Sequence, residues 1–285
     1  MQIILFGAQW GDEGYEEVVP AYADGADAVA VASDDAGVLR TARLAAADGT
    51  VLVGSGASVN LERVFTADTD DAGRLLVSSR AHVDLPSYEA FGRDTVVALR
   101  AAGEGVRIHQ IIDGSLPSDL SEEDFAYVRR FQSSVRDHIV DSVEFTRRNI
   151  RKNVLHIGPP GFMRDPDFGY HPPRELGSRG AATACRSAAL GPSAVDRVVA
   201  VCKVYTSVPE DAANPSRIMR DRDADVLERF RDADRRGQKD DAGAQTTSDG
   251  RSYGVLDLVA LRHACAVNSA DGIAITRLDT LAGLD

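Results

Sequence analysis

Short apolar runs recur along the chain, several of them closed by glycine. Residues 3–6 (IILF) run into Gly7, Thr50–Val53 into Gly54 and Val154–Ile157 into Gly158, and residues 75–77, residues 198–204 and Gly272–Thr276 are further runs of this kind. Runs this short, rich in β-branched residues and with little polar alternation, predict strands buried on both faces. Residues 26–32 (ADAVAVA) fit either a small-residue strand or a buried helix, because periodicity does not separate the two. Residues 106–112 (VRIHQII) alternate and predict one more strand.

Helical spacing fills the intervals. Tyr15–Ala23 predicts a helix limited by Pro20, and residues 87–102 one that is stopped by Gly103 and Gly105. Ser121-Glu122-Glu123-Asp124 reads as a capped start, with the helix continuing to about residue 149. Residues 223–236 predict an exposed charged helix and residues 255–267 an amphipathic to buried one. Residues 33–37 form a turn cluster, residues 158–180 a long Gly- and Pro-rich loop, and residues 237–250 a flexible polar loop. Strands alternating with helices, without a repeat or a linker, predict a single α/β domain over 1–285 with a mainly parallel central sheet flanked by helices.

Composition narrows the classes. With Cys185, Cys202 and Cys265 and no CxxC spacing, neither a disulfide framework nor a zinc site is expected, which favours a reduced, cytoplasmic setting. His82, His109, His138, His156, His171 and His263 show no metal spacing either. No apolar stretch is long enough to cross a bilayer, and no basic segment precedes a long apolar one as in a signal peptide. A net charge of −12 argues against a nucleic-acid partner. Aspartate outnumbers glutamate, and the lysines are only Lys152, Lys203 and Lys239. Because the acids are spread rather than blocked, they fit a whole-surface adaptation to high salt better than one acidic docking patch.

The chemistry concentrates after the first strand, in Gly7-Ala8-Gln9-Trp10-Gly11-Asp12-Glu13-Gly14. A buried strand ending in a glycine-rich turn presents backbone N–H groups to a phosphate. Asp12 stands at the carboxyl end of that strand, where open α/β sheets bind ligands.

This octapeptide resembles the opening signature of the adenylosuccinate synthetases. Asp249-Gly250-Arg251-Ser252-Tyr253-Gly254 with Val255-Leu256-Asp257-Leu258-Val259-Ala260-Leu261-Arg262-His263-Ala264 resembles the family segment TGRPRRxGWLDLVALRHA. Thr276-Arg277-Leu278-Asp279 resembles its guanine-reading TKLD. Weaker matches lie between in family order, the last running from Gly191-Pro192-Ser193 to Lys203-Val204-Tyr205-Thr206.

The resemblance implies a nucleotide-binding fold similar to P-loop NTPases, and GTP-dependent ligation of IMP and L-aspartate with Mg²⁺. It also implies cytoplasmic purine biosynthesis and a homodimer, in a chain short of the family's C-terminal segment. Asp12 is the implied base on IMP and, with the Gly37 carbonyl, a Mg²⁺ ligand. Gly11, Gly14, Gly37, Arg251, Arg277 and Asp279 are the implied nucleotide contacts, and Thr246, Thr247 and Arg251 the implied aspartate contacts. A carboxylate at Asp279 can accept both N1–H and N2–H of guanine.

The family pattern is also broken. Its GDEGKGK reads Gly11-Asp12-Glu13-Gly14-Tyr15-Glu16-Glu17, so two phosphate-neutralising lysines become Tyr15 and Glu17, and a glycine becomes Glu16. In Ser33-Asp34-Asp35-Ala36-Gly37-Val38-Leu39, similar to GNNAGHT, Val38 replaces the general-acid histidine. Pro160 replaces an IMP-contacting glutamine, Glu175 a phosphate-contacting threonine and Asp249 an arginine. These replacements favour an inactive, guanine-nucleotide-binding paralogue with a regulatory or assembly role. The alternatives are a divergent active synthetase and a ligase for a different purine acceptor.

Overall fold

Strand β1 (Gln2–Gly7) is shared by both layers of the molecule. Leu5 points into one apolar cluster, Ile4 and Phe6 into another. Both of its edges carry parallel partners, β8 (Val154–Ile157) and β9 (Arg197–Lys203). A strand covered on every side needs apolar residues at every position, which is why residues 3–6 show no alternation. The computed structural model describes residues 1–32, 36–46, 49–66, 74–90, 105–170, 177–209, 224–238 and 251–283.

From β1 the chain enters α1 (Tyr15–Ala23), β2 (Ala28–Val31), α2 (Ala36–Ala45), β3 (Thr50–Val53), β4 (Ser58–Val59), α3 (Leu61–Thr66), β5 (Arg74–Ser78) and β6 (His82–Val83). Helices α4 (Ile108–Asp113) and α5 (Glu122–Arg136), β7 (Ile139–Val140), α6 (Ser142–Asn149) and α7 (Ala181–Ala188) complete the region around β8. After β9 come β10 (Tyr205–Pro209), α8 (Ala224–Gln238), β11 (Arg251–Val255), α9 (Leu258–Asn268) and β12 (Gly272–Thr276). Among the described residues, eight strands form one all-parallel sheet in the order β12-β9-β1-β8-β2-β3-β5-β7. The expected mainly parallel sheet with flanking helices is therefore present. Off its edge β10 and β11 make a separate antiparallel pair, with Tyr205 opposite Val255 and Pro209 opposite Arg251.

The ambiguous residues 26–32 resolve as β2, which is buried along its whole length. Pro20 sits inside α1 and does not end it. It removes one ladder bond, a loss that tertiary packing of Val18, Val19 and Ala23 offsets.

Two expectations need correction, and two more are refined. Residues 106–112 are not a strand: Ile108–Asp113 is helical, with Gln110 Oε1 accepting from Arg107 N at 2.8 Å and Gly114 ending it at φ 79°. Ile108 and Ile111 face the core at helical spacing, so the alternation was accidental. The helix expected from Ser121 to about residue 149 is two helices. The β-branched pair Ile139–Val140 adds to the sheet beside β5, and Asp141 caps α6 through Val143 N and Glu144 N. The exposed helix at residues 223–236 is α8, whose inner face buries Phe230, Ala233 and Asp234. The loop at 158–180 contains a 3₁₀ turn, Phe162–Arg164. It is tied by Asp165, whose carboxylate accepts from the N–H groups of Asp167, Phe168 and Arg179.

The residues expected as a helix at 91–102 and most of the loop at 237–250 lie outside the described residues. No helix among the described residues is long and apolar enough to cross a membrane.

The predicted cap at Ser121 is real: its Oγ accepts from Asp124 N at 3.1 Å. Ser121→Ala is expected to lower stability by about 1 kcal/mol, read as a shift of the urea midpoint with an unchanged slope.

Candidate functional site

The loop between β1 and α1 is held from inside by a carboxylate. Glu13 is fully buried, and its Oε1 accepts from the N–H groups of Gln9 (3.1 Å), Gly11 (2.8 Å) and Gly161 (3.1 Å). Gly7 must be glycine because a Cβ there would lie 2.4 Å from Glu13 Oε2 and 2.9 Å from Gly161 N. Gly14, at φ 82°, is pressed equally hard, with Thr276 Oγ1 2.8 Å from where its Cβ would be. That same hydroxyl donates to the Glu13 carbonyl at 2.7 Å, so the end of β12 is fastened to the loop.

Gln9 fastens the other flank. Its side chain donates to the carbonyls of Lys203 (3.2 Å) and Tyr205 (2.9 Å) and accepts from Lys203 N (2.8 Å). Beneath it lies a buried charge cluster. The Lys203 ammonium contacts Ser207 Oγ at 2.7 Å and Asp234 Oδ1 at 3.0 Å, with both partners of the ion pair fully enclosed. The Tyr205 hydroxyl donates to the same Asp234 oxygen. Burial works against the Asp234 charge, but the Lys203 ammonium, the Tyr205 hydroxyl and Arg251 outweigh it and hold the carboxyl below its usual range. Arg251 donates to the Ser207 carbonyl at 2.8 Å and stands 3.9 Å from Asp234 Oδ2.

Asp12 tops this cluster at φ 56°, a left-handed conformation that aspartate tolerates better than most residues. The residue is partly exposed, but its Oδ2 is buried and has no hydrogen-bond partner among the described residues. Burial raises its carboxyl to about 6, with Lys203 pulling down and Asp234 and Glu16 adding to the rise. An orphaned carboxylate oxygen suits a hard cation, and Mg²⁺ needs only one or two carboxylates besides water and ligand oxygens. Among the described residues no group of three or more His, Cys, Asp or Glu is placed to hold a metal.

The third knot joins the loop to the far end of the chain. Arg277 follows β12 at φ 59° and is almost sealed. Its guanidinium pairs with Glu17 at 2.6 Å and with Glu16, and its backbone N–H donates to Glu17 Oε2 at 3.1 Å. Burial opposes the charge on Arg277, and the two carboxylates more than restore it. Tyr15, the other replaced lysine, turns inward and donates to the Gly158 carbonyl at 3.1 Å.

The fold thus gathers Gly11, Asp12, Gly14, Arg251 and Arg277 around one charge network. Asp279 lies nearby on an exposed 3₁₀ turn, Leu278–Leu281. Gly37 sits in the first turn of α2 rather than in a turn cluster, and Val38 beside it packs into the core. Pro160 keeps only a backbone role, its carbonyl accepting from Arg179. Thr246, Thr247, Asp34, Asp35, Glu175 and Asp249 lie outside the described residues.

Sequence reasoning missed the structural work of Glu13 and all of Asp234. Lys203 carried a signal, as a lone charge closing the most apolar strand of a chain nearly without lysine. Asp234 carried none, being one acid among many in a charged helix. A separate cavity of ≈ 540 Å³ lies on the outer side of α9, lined among others by Trp10, Met163, Tyr170, Leu256 and His263. The Trp10 and Tyr170 rings stand 5.5 Å apart there.

Comparison with known proteins agrees with the motif order. The chain is 28% identical to the adenylosuccinate synthetase of Moorella thermoacetica, over 99% of its own length and 78% of the relative's. The synthetase of Salinibacter ruber is 24% identical with the same coverage of both chains. Among solved structures, the fully ligated adenylosuccinate synthetase of Plasmodium falciparum superposes with a TM-score of 0.79 at 19% identity, covering 99% of this chain and 78% of that one. The succinoaminodeoxyadenylate synthetase of cyanophage S-2L, bound to dGMP and dATP, gives 0.61 at 14%, covering 96% and 83%. These two likenesses show that the chain shares the fold of those synthetases. Residues 104–285 match the family described as adenylosuccinate synthetase, and the chain belongs to that family.

Proposed function

We propose that this chain is a non-catalytic member of the family, keeping the guanine end of an inherited nucleotide site for a regulatory or assembly role. The observation that carries this reading is Val38. By motif it occupies the place of the family's general acid, and its side chain is packed among the core residues of α1 and α2. Valine has no proton to give, and among the described residues no other acid takes that place in the resemblance. IMP oxygen activation would then lack its proton donor, a contribution of about 10² to 10⁴ in rate.

A second reading, that of a working ligase, draws on Asp12. A carboxyl raised to about 6 is suited to accept a proton near neutrality. If Mg²⁺ binds, Asp12 with the Gly37 carbonyl would hold it, and the ion would supply charge stabilisation to phosphoryl oxygens. GTP fits less well. The first turn of α1 carries Glu16 and Glu17 where the motif would place glycine and lysine, and both face Arg277.

Adenylosuccinate formation from GTP, IMP, L-aspartate and Mg²⁺, followed by absorbance at high KCl, separates the readings. Folded protein is expected to show no turnover above background, and enzyme-like turnover would establish the ligase. For the retained guanine end, a thermal-shift titration with guanosine is expected to raise the midpoint, with Asp279→Asn abolishing the rise. Silence towards guanosine, GMP and GTP alike removes nucleotide binding from the proposal.

A further inference from the structure

The Glu16–Arg277–Glu17 knot has the geometry of a latch across the mouth of the first loop. Three features define it. Arg277 is the inner partner, with 9% of its side chain exposed, whereas 35% of Glu16 and 40% of Glu17 remains accessible. The cation is therefore sealed behind two anions, and the face shown to solvent is negative. Glu17 binds Arg277 twice, through Nη1 and through the backbone N–H, which fixes the left-handed backbone at Arg277. Both carboxylates lie in the first turn of α1, where a helix favours negative charge and where a bound phosphate would otherwise sit.

Other cations border the loop: Lys203 and Arg251 are committed elsewhere, and Arg164 packs its guanidinium against Gly11, 3.2 Å from where a Cβ there would lie. Lys203 is held by Asp234 and Ser207, and Arg251 by Ser207. Tyr15 contributes no charge and is turned to Gly158. Lys203, Arg251 and Tyr15 thus do not offset the two carboxylates at the mouth.

We propose that Glu16 and Glu17, pinned by Arg277, act as an internal substitute for the phosphates of a nucleotide and exclude polyphosphate ligands from this loop by charge. The inference rests on reading the loop as one built to take phosphate, and it deepens the non-catalytic reading by naming the ligand class that is shut out. It distinguishes the chain's two ends of the site. An uncharged guanosine meets no such barrier, while GTP or pyrophosphate does.

Charge exclusion and a mere mechanical tie predict different things. If the carboxylates exclude by their field, removing them opens the loop and removing Arg277 closes it further. If the knot is only a tie, breaking it from either side has the same effect.

The test is calorimetric titration of pyrophosphate with Mg²⁺ at low KCl into the whole chain, with circular dichroism as the check on folding. Glu16→Gln/Glu17→Gln is expected to bind pyrophosphate about ten-fold or more tightly than the unaltered chain, since two repulsive charges are lost. Glu16→Gln alone, which leaves Glu17 on Arg277, is expected to fall between them. Arg277→Gln is expected to bind no better than the unaltered chain. Raising KCl should narrow the difference between the double variant and the unaltered chain.

Equal affinity in the unaltered chain and the double variant overturns the proposal. So does an Arg277→Gln variant that gains as much as the double variant. If the double variant does not fold, Glu16→Gln alone decides by the same comparison. GTP-dependent adenylosuccinate turnover by the unaltered chain would sink the non-catalytic reading and the exclusion of GTP together, whereas equal pyrophosphate affinities would remove the latch and leave the non-catalytic reading standing.

Discussion

Replacing Lys203 by methionine is expected to cost about 4 kcal/mol of stability, because breaking a buried ion pair from one side strands the other charge. The stranded group is Asp234, which is fully enclosed and keeps the Tyr205 hydroxyl, with the Tyr253 hydroxyl close by and Arg251 at 3.9 Å. The pair joins the end of β9 to α8, so its loss should loosen the small lobe formed by β10, β11 and α8 before the central sheet. Urea unfolding read by far-UV circular dichroism gives the loss. Hydrogen exchange would localise it to the amides of Tyr205–Pro209 and Ala224–Gln238. Lys203→Met combined with Asp234→Leu should recover most of the deficit, since an apolar replacement of a buried pair is often neutral. A loss below about 1 kcal/mol in the single variant would mean that water reaches the pair and screens it.

Asp12→Asn is expected to do the opposite, stabilising the metal-free protein by about 2 kcal/mol at pH 8. Burial raises the carboxyl in the folded chain to about 6, against an ordinary value of 3.8. A raised carboxyl pKa means that the native state holds its proton longer than the unfolded chain does. Stability from this residue is therefore fullest at low pH and falls as pH rises from about 4 through about 6, then levels off. Asparagine removes that fall, and it also tolerates the left-handed backbone at this position. The figure is set below the full linkage value because the residue is partly exposed. Thermal unfolding in EDTA from pH 4 to pH 8 checks it. The two proteins should converge at pH 4 and separate above pH 6. Parallel curves would show that Asp12 is solvated as in a peptide. A residue whose removal stabilises the fold is one kept for binding or chemistry, which ties this measurement to the site.

Both effects arise from charges that local sequence cannot pair. The sheet was legible because its signal is local. Val51 and Leu155 are buried on strands enclosed by helices, and an enclosed strand must be apolar throughout. Where two local patterns competed, only packing chose. Residues 106–112 satisfy strand alternation and helical spacing together, and the Gln110 cap with the Gly114 stop decided for the helix. The run after Ser121 looked like one helix because its apolar spacing continues across Asp137, yet Ile139–Val140 gained more by joining β5.

For the site, the sequence alone determined the first loop: glycines at Gly7 and Gly14, an aspartate at the strand's end, and the loss of lysine after it. It also showed that Val38 has no proton to give. The tertiary structure decided what the replacements mean. Glu16 and Glu17 read in sequence as bare repulsion, but 260 residues separate Glu17 from the arginine that holds it, and only the parallel placement of β12 beside β9 brings them together. Ion pairing depends on distance in space, and a chain's own order carries that information only after it has folded.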